Sequence, residues 1–291
     1  MKHFLSFAIL LFTFCGYGQG KSIQFFQTNW GNELSWDAFC ERTKTSGYNG
    51  IEVWFPSEKE SQSQLKAALE KHGLAVAFLN GTNRSLPFKK GLEAYKNHFK
   101  TLIAWNPVYI NCHTGSDFFT FEQNKAFIDA ANKISKESGI PIYHESHRGR
   151  FSYNLPGTNA YLHEIPDLDL TLDISHWMVV HESLLQGKDT ILKDVVNKTK
   201  HIHARVGHAE GPQVNDPEAP EWQSALDRHM DIWERVIKKE WKSGRDVVTV
   251  TTEFGPPNYL PALPYTQIPV ADQWKANVFI MNAIKERLSL E

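Results

Sequence analysis

Eight times along this chain a short, β-prone apolar stretch is followed by a longer stretch of helical periodicity, and few folds accommodate that count. Strand-like segments fall at residues 23–28, 50–55, 74–79, 108–112, 140–144, 168–172, 200–204 and 246–252. Helix-like segments follow them at 36–46, 57–72, 91–105, 121–138, 159–164, 184–197, 222–241 and 274–288. The stretch at 121–138 is the clearest helix, with Phe127, Ala131 and Ile134 on one face and Gly139 to end it. Several strands, 74–79 and 247–250 among them, are nearly unbroken apolar runs, as parallel strands covered on both faces require.

Eight β-then-α units in roughly 270 residues match the size of a (β/α)8 TIM barrel. A doubly wound open sheet alternates in the same way, but it usually carries a glycine-rich phosphate loop after its first strand. Here Asn29-Trp30-Gly31 stands at that place. No repeat, low-complexity tract or linker interrupts the alternation, so the expectation is one α/β barrel domain over residues 19–291.

The first eighteen residues read differently. Lys2 and His3 precede an apolar run at 4–14, and Gly16 and Gly18 follow, which is the order of a secretory signal cleaved after Gly18. The run is too short to span a bilayer as a permanent helix. Export, to a periplasmic location, is therefore expected. Cys15 raises the weaker alternative of a lipid anchor, disfavoured by the bulk of Phe14 before it. Beyond the signal only Cys40 and Cys112 remain, both in apolar contexts that suit buried free thiols. The formal charge of −2 and the lack of a basic run count against nucleic acid as a partner.

In a barrel the chemistry sits at the carboxyl ends of the strands. The fourth strand ends in Asn111-Cys112-His113, the fifth in His144-Glu145-Ser146-His147 and the sixth in Asp173-Ile174-Ser175-His176. The seventh runs His201-Ile202-His203-Ala204-Arg205 and the eighth ends in Thr252-Glu253. Four successive strands thus end in a metal-capable residue: Glu145, Asp173, His203 and Glu253. Carboxylates with one imidazole suit a single Mn, Mg, Co or Zn ion. Such an ion polarises a sugar carbonyl, and a neighbouring carboxylate can move the adjacent proton. A lone Glu or His at a strand end is usually an ion pair or a satisfied core residue; four at one rim are harder to explain that way.

With these motifs in place the chain resembles the xylose isomerase-like superfamily of sugar isomerases and epimerases. The resemblance rests on Gly47-Tyr48-Asn49-Gly50-Ile51-Glu52, the strand-five and strand-six motifs, His201-Ile202-His203 and Glu253, and it covers nearly the whole chain after the signal. It implies Glu145, Asp173, His203 and Glu253 as metal ligands, Glu145 and Glu253 as the catalytic acid/base pair, and His176 as a substrate contact. It also implies a small-molecule sugar partner, and several relatives are homo-oligomers. Departures follow the seventh strand, where Ala204-Arg205-Val206-Gly207-His208-Ala209-Glu210-Gly211-Pro212 stands in place of the usual Gly-Glu-rich stretch and later arginine. Arg205 lies two residues after His203, on the same strand face, and is assigned to substrate binding. His113, His147, Glu52 and Trp54 are further candidates for the pocket, and residues 254–259 for its wall. The expected activity is a metal-dependent isomerase or epimerase acting on an unphosphorylated sugar or keto-sugar through a metal-stabilised enediolate. The alternative is a lyase or hydratase acting on a 3-keto-glycoside or its enol product. A repair endonuclease of the same barrel would need more ligands and a basic face, and a non-catalytic sugar-binding barrel would not need the complete ligand set.

Overall fold

The structure, a computed structural model, describes residues 20–290. The expected signal segment and Cys15 lie outside the described residues. Strands β1 (Ser22–Thr28), β2 (Gly50–Trp54), β3 (Ala75–Gly81), β4 (Ile110–His113), β5 (Ile142–Glu145), β6 (Leu170–Leu172), β7 (Thr199–Ala204) and β8 (Val247–Thr252) close into a barrel in sequence order. Every neighbouring pair is parallel, and β1 closes on β8 from Ser22↔Val247 to Gln27↔Thr252. Helices α1 (Trp36–Thr45), α2 (Lys59–His72), α3 (Phe88–Ile103), α4 (Phe121–Ser138) and α5 (Leu155–Glu164) link the first six strands. After β6 come a short α6 (Ser175–Val180) and then α7 (Asp189–Lys198), with α8 (Gln223–Lys242) and α9 (Gln273–Arg287) completing the ring.

Local chemistry sets the helix ends. Thr120 and Gln123 form a reciprocal capping box at the start of α4, and Gly139 ends it at φ +73°. Helix α5 begins earlier than the periodicity suggests because Asn154 caps it and Pro156 sits in its first turn, where a missing N–H costs nothing. Helix α7 begins later than expected: Leu185 and Gly187 adopt φ of +59° and +70°, which keeps this stretch out of a helix.

Strand alternation sorts the side chains into two sets. Outward residues such as Ile51, Phe78 and Ile110 pack on Phe39, Leu69, Phe99 and Phe127 of the helices. On the opposite side Leu172, Ile202 and Val250 meet Trp177, Trp233 and Ile280. Inward, a floor of Phe26, Ala77, Tyr109 and Tyr143 supports polar side chains towards the carboxyl end. Cys40 and Cys112 are both buried free thiols. Among the described residues no helix is long and apolar enough to cross a membrane.

Two histidines outside the barrel mouth make the fold acid-sensitive. Burial pushes His144 down to about 3 and His229 down to about 4. His229 donates from Nδ1 to the Ala225 carbonyl (2.7 Å) and accepts the Gly207 N–H at Nε2 (3.1 Å), a pattern only the neutral ring can make. In the unfolded chain these rings take up protons near pH 6.5, whereas in the folded chain they do not. Stability is therefore fully present above that pH and falls as pH drops towards the folded values. At pH 5 each should have cost roughly 2 kcal/mol, and the two are additive if independent. Thermal unfolding followed between pH 7.5 and 5 should show this decline, and His229→Gln, which keeps an acceptor for Gly207, should shallow it. An unchanged slope in the variant would remove His229 from the account.

Candidate active site

The alternation that fills the barrel also delivers the site. Asn111 and His113 on β4, Glu145 on β5, His201 and His203 on β7, and Glu253 just past β8 all face inward at the carboxyl end, and each is buried. Glu145 Oε2 accepts from Asn111 Nδ2 (2.6 Å) and lies 2.9 Å from His113 Nε2. His203 is the hub: its Nε2 lies 2.9 Å from Glu52 Oε1, and its Nδ1 is 2.7 Å from Glu253 Oε2 and 3.4 Å from Glu145 Oε2.

The His203 Nδ1 to Glu253 Oε2 approach lacks hydrogen-bond geometry, so both atoms, together with Glu145 Oε1, are buried without a hydrogen-bond partner. Orphaned polar atoms of this kind are costly unless something else satisfies them. Glu145, His203 and Glu253 can each offer a ligand atom within 4.8 Å of the others, and so can Glu145, Asp173 and His176. These buried groups could therefore hold a metal ion. The donor set of carboxylates and imidazole is a hard-to-borderline one.

Electrostatics keep Glu145 and His203 charged. Burial opposes ionisation of Glu145, but His113 and His203 outweigh it and hold the carboxyl well below the usual carboxylate range. Burial likewise opposes the charge on His203, and Glu253, Glu52 and Glu145 raise it well above an ordinary imidazole. A bound cation would replace that proton.

Asp173 is placed differently from its three expected companions. Its Oδ1 accepts from the Ser175 N–H (3.0 Å) and hydroxyl (2.6 Å), while Oδ2 pairs with Arg205 Nη2. Burial pushes its carboxyl up to about 7; Arg205 opposes this, while Glu253 and Glu145 add to it. Arg205 is itself fully buried, with its guanidinium carbon 4.5 Å from the ring centre of Tyr259.

The remaining expected residues divide. His113, His147 and His176 form a ladder at the mouth, with ring centres 4.6 and 4.0 Å apart, and Trp54 stands edge-on to His113 at 5.5 Å. Trp54 is 38% exposed, as a rim residue should be. Glu52, in contrast, is fully buried below the rim. Tyr109, Asn111 and Thr251 donate to its oxygens, and His201 and His203 hold it ionised against burial. It reaches the inner nitrogen of His203 rather than a pocket wall. Beyond the expected set, Asn111, His201 and Arg148 also belong to the cluster, and Tyr259, from the expected wall at 254–259, packs against Arg205. Asn111 was legible as the same-face neighbour of His113; Arg148 and Tyr259 come from loops with no period to read. A groove of about 770 Å³ lies away from the mouth, between α2, the start of β3 and the segment leading from α3 into β4.

A closed parallel barrel with a buried carboxylate–histidine cluster at its carboxyl end defines a class of (β/α)8 proteins. Within that class, the chain belongs to the xylose isomerase-like TIM barrel family, whose model matches residues 40–239. Solved structures agree on the fold. A 3-keto-D-glucoside 4-epimerase from E. coli superposes with a TM-score of 0.60 at 14% identity, covering 91% of this chain and 99% of its own. A probable 3-DHS dehydratase from Bacillus anthracis gives 0.57 at 15% identity, covering 91% and 98%. A magnesium complex of a xylose isomerase-like TIM barrel protein from Mycobacterium smegmatis gives 0.58 at 10% identity, covering 91% and 97%. No curated protein matches the sequence significantly.

Proposed function

We propose that this protein is a divalent-metal-dependent enzyme that withdraws and returns a proton beside the carbonyl of an unphosphorylated sugar or keto-sugar, as an epimerase or isomerase. The observation that carries the reading is the trio of buried atoms without a hydrogen-bond partner, Glu145 Oε1, His203 Nδ1 and Glu253 Oε2, gathered within reach of one ion. Their chemistry suits Mn, Mg, Co or Zn, with Asp173 as the fourth ligand once Arg205 releases it. The ion, when bound, would supply Lewis-acid polarisation of the sugar carbonyl. Asn111 and His113 fix the Glu145 carboxylate from its Oε2 side, which orients this side chain as the base. Glu253 is the second carboxyl group and, in its acid form, delivers a different proton to the opposite face, so that one proton is taken up at Glu145 for each one given up at Glu253. Glu52 is a positioning residue that fixes the ring of His203 from its inner side. Trp54 and the histidine ladder supply an aromatic wall with N–H donors for sugar hydroxyls.

The amino-terminal sequence supports export, and phosphorylated sugars are rare outside the cytoplasm. A second reading stands close behind. The same enolised sugar can lose or gain a group at the next carbon, which would make the protein a lyase or hydratase acting on a 3-keto-glycoside or its enol product. The fold likeness to both an epimerase and a probable dehydratase keeps it open.

The test is incubation of metal-loaded protein with free ketoses and 3-keto-glycosides in D₂O, followed by NMR. Deuterium entry with a new epimer and an intact skeleton is the expected result. Loss of water or an aglycone would instead establish the second reading. No exchange at full metal occupancy would overturn both.

A further inference from the structure

Arg148, in the loop after β5, brings a second guanidinium to the side of the site that Arg205 already occupies. Its Nε reaches His176 Nδ1 at 3.0 Å, while Arg205 Nη2 faces His176 Nε2 at 2.8 Å. A guanidinium only donates, and a neutral imidazole has one acceptor nitrogen. One of the two contacts therefore sets an N–H against an N–H. Protonating the ring would make both contacts unfavourable, since both its nitrogens would then face donors. A second donor is also unmatched: Arg205 Nη1 is buried and has no hydrogen-bond acceptor. It lies 3.9 Å from Glu253 Oε1, too far for a hydrogen bond.

The surrounding charge points the same way. Among the described residues Arg148 has no carboxylate within ion-pairing distance. Its other contact is the Tyr259 hydroxyl, 3.5 Å from Nη2, and the Tyr259 ring lies between the two guanidinium groups, 5.9 and 4.5 Å from their carbons. Arg84 and Arg150, on adjacent loops, donate only to the backbone carbonyls of Gly149 and Thr82. Glu145 and, more weakly, Asp117 are the acids that act on Arg150, and neither pairs with it. One sector of the mouth thus presents guanidinium donors in excess of acceptors, beside the carboxylate cluster.

We propose that Arg148 and Arg205, converging on His176 beside Tyr259, form a subsite for an oxyanion group of the substrate, so that the sugar processed here is acidic, with a carboxylate within reach of the reacting carbonyl. The inference rests on the sugar-chemistry reading above and narrows its substrate class. A carboxylate accepts from both forks at once, takes up Arg205 Nη1 and lets His176 settle into one tautomer.

The test measures binding, not turnover. The purified, metal-saturated chain is titrated calorimetrically with D-glucuronate, D-glucose and D-glucose 6-phosphate, for the native sequence, Arg148→Met and Arg148→Lys, with thermal melts to confirm folding. Glucuronate should bind about ten- to a hundredfold more tightly than glucose, with a preference that weakens in salt. Arg148→Met should abolish that preference, and Arg148→Lys should keep part of it. Equal binding of glucuronate and glucose, or a preference indifferent to Arg148, would overturn the subsite. A stronger, Arg148-dependent preference for glucose 6-phosphate would support the oxyanion subsite and overturn the unphosphorylated substrate. Selective glucuronate binding without proton exchange on any keto-sugar would support the subsite and sink the proton-transfer reading.

Discussion

Glu145→Gln should slow deuterium exchange into the substrate by about 10³-fold or more, the largest activity effect of any single change in this site. The amide removes both the base and one negative ligand, since one carboxylate carries both roles. It also removes one of the charges that raise His203. The two roles separate by comparison with Glu145→Asp. Aspartate keeps the charge but withdraws it by one methylene, about 1.5 Å, and a misplacement of about 1 Å alone can cost about 10²-fold. Metal affinity, read by calorimetry, should fall further in Glu145→Gln than in Glu145→Asp, whereas exchange should collapse in both. Glu253→Gln should weaken metal binding comparably. If Glu145→Gln retained exchange within tenfold of the native rate at full metal occupancy, the base would have to be another group. Asn111 offers an independent check on positioning: Asn111→Ala should free the Oε2 end of Glu145 and lower turnover with little change in substrate affinity.

The barrel and its site were legible for a common physical reason. Strand side chains alternate, so His201, His203 and Arg205 had to share a face, as did Asn111 with His113 and Glu145 with Tyr143. Reading strand ends therefore recovered residues that the structure brings together from β4, β5, β7 and β8. What escaped the sequence has identifiable causes. Helix α6 is six residues long, too short for a periodic signal, yet it carries His176 and Trp177. The expectation that Glu52 lines the pocket followed from its place near a strand end. Register pairs it with Ala77 and Thr28, which puts it one level below the mouth, where Thr251 and Tyr109 donate to its Oε2. Arg148 and Tyr259 meet only because the β5 and β8 loops fold over the same side of the barrel. Loop conformation is set by contacts far apart in sequence, and no local pattern announces it.

Asp173→Ala should cost about 3 kcal/mol or more of stability in metal-stripped protein, and Arg205→Met should cost clearly less. The asymmetry comes from acid–base chemistry. Without Asp173, a fully buried guanidinium that cannot give up its proton keeps only Glu253, 3.9 Å away, as a charged partner. Without Arg205, Asp173 has an escape. Burial already pushes its carboxyl up to about 7, and with its main opposing charge gone it takes up a proton and becomes neutral at neutral pH. On the scale of this chain the alanine variant should melt roughly 6–12 °C lower. The double variant should be less destabilised than the sum of the singles by about 1–3 kcal/mol, since it removes both members of one interaction. The pair also bears on metal uptake. Arg205 and a cation compete for Asp173 Oδ2, so a divalent ion should stabilise Arg205→Met more than it stabilises the native chain. Equal stabilisation in calorimetric melts would mean that Asp173 stays on Arg205 when the ion binds, and that Glu145, His203 and Glu253 hold it without a fourth ligand.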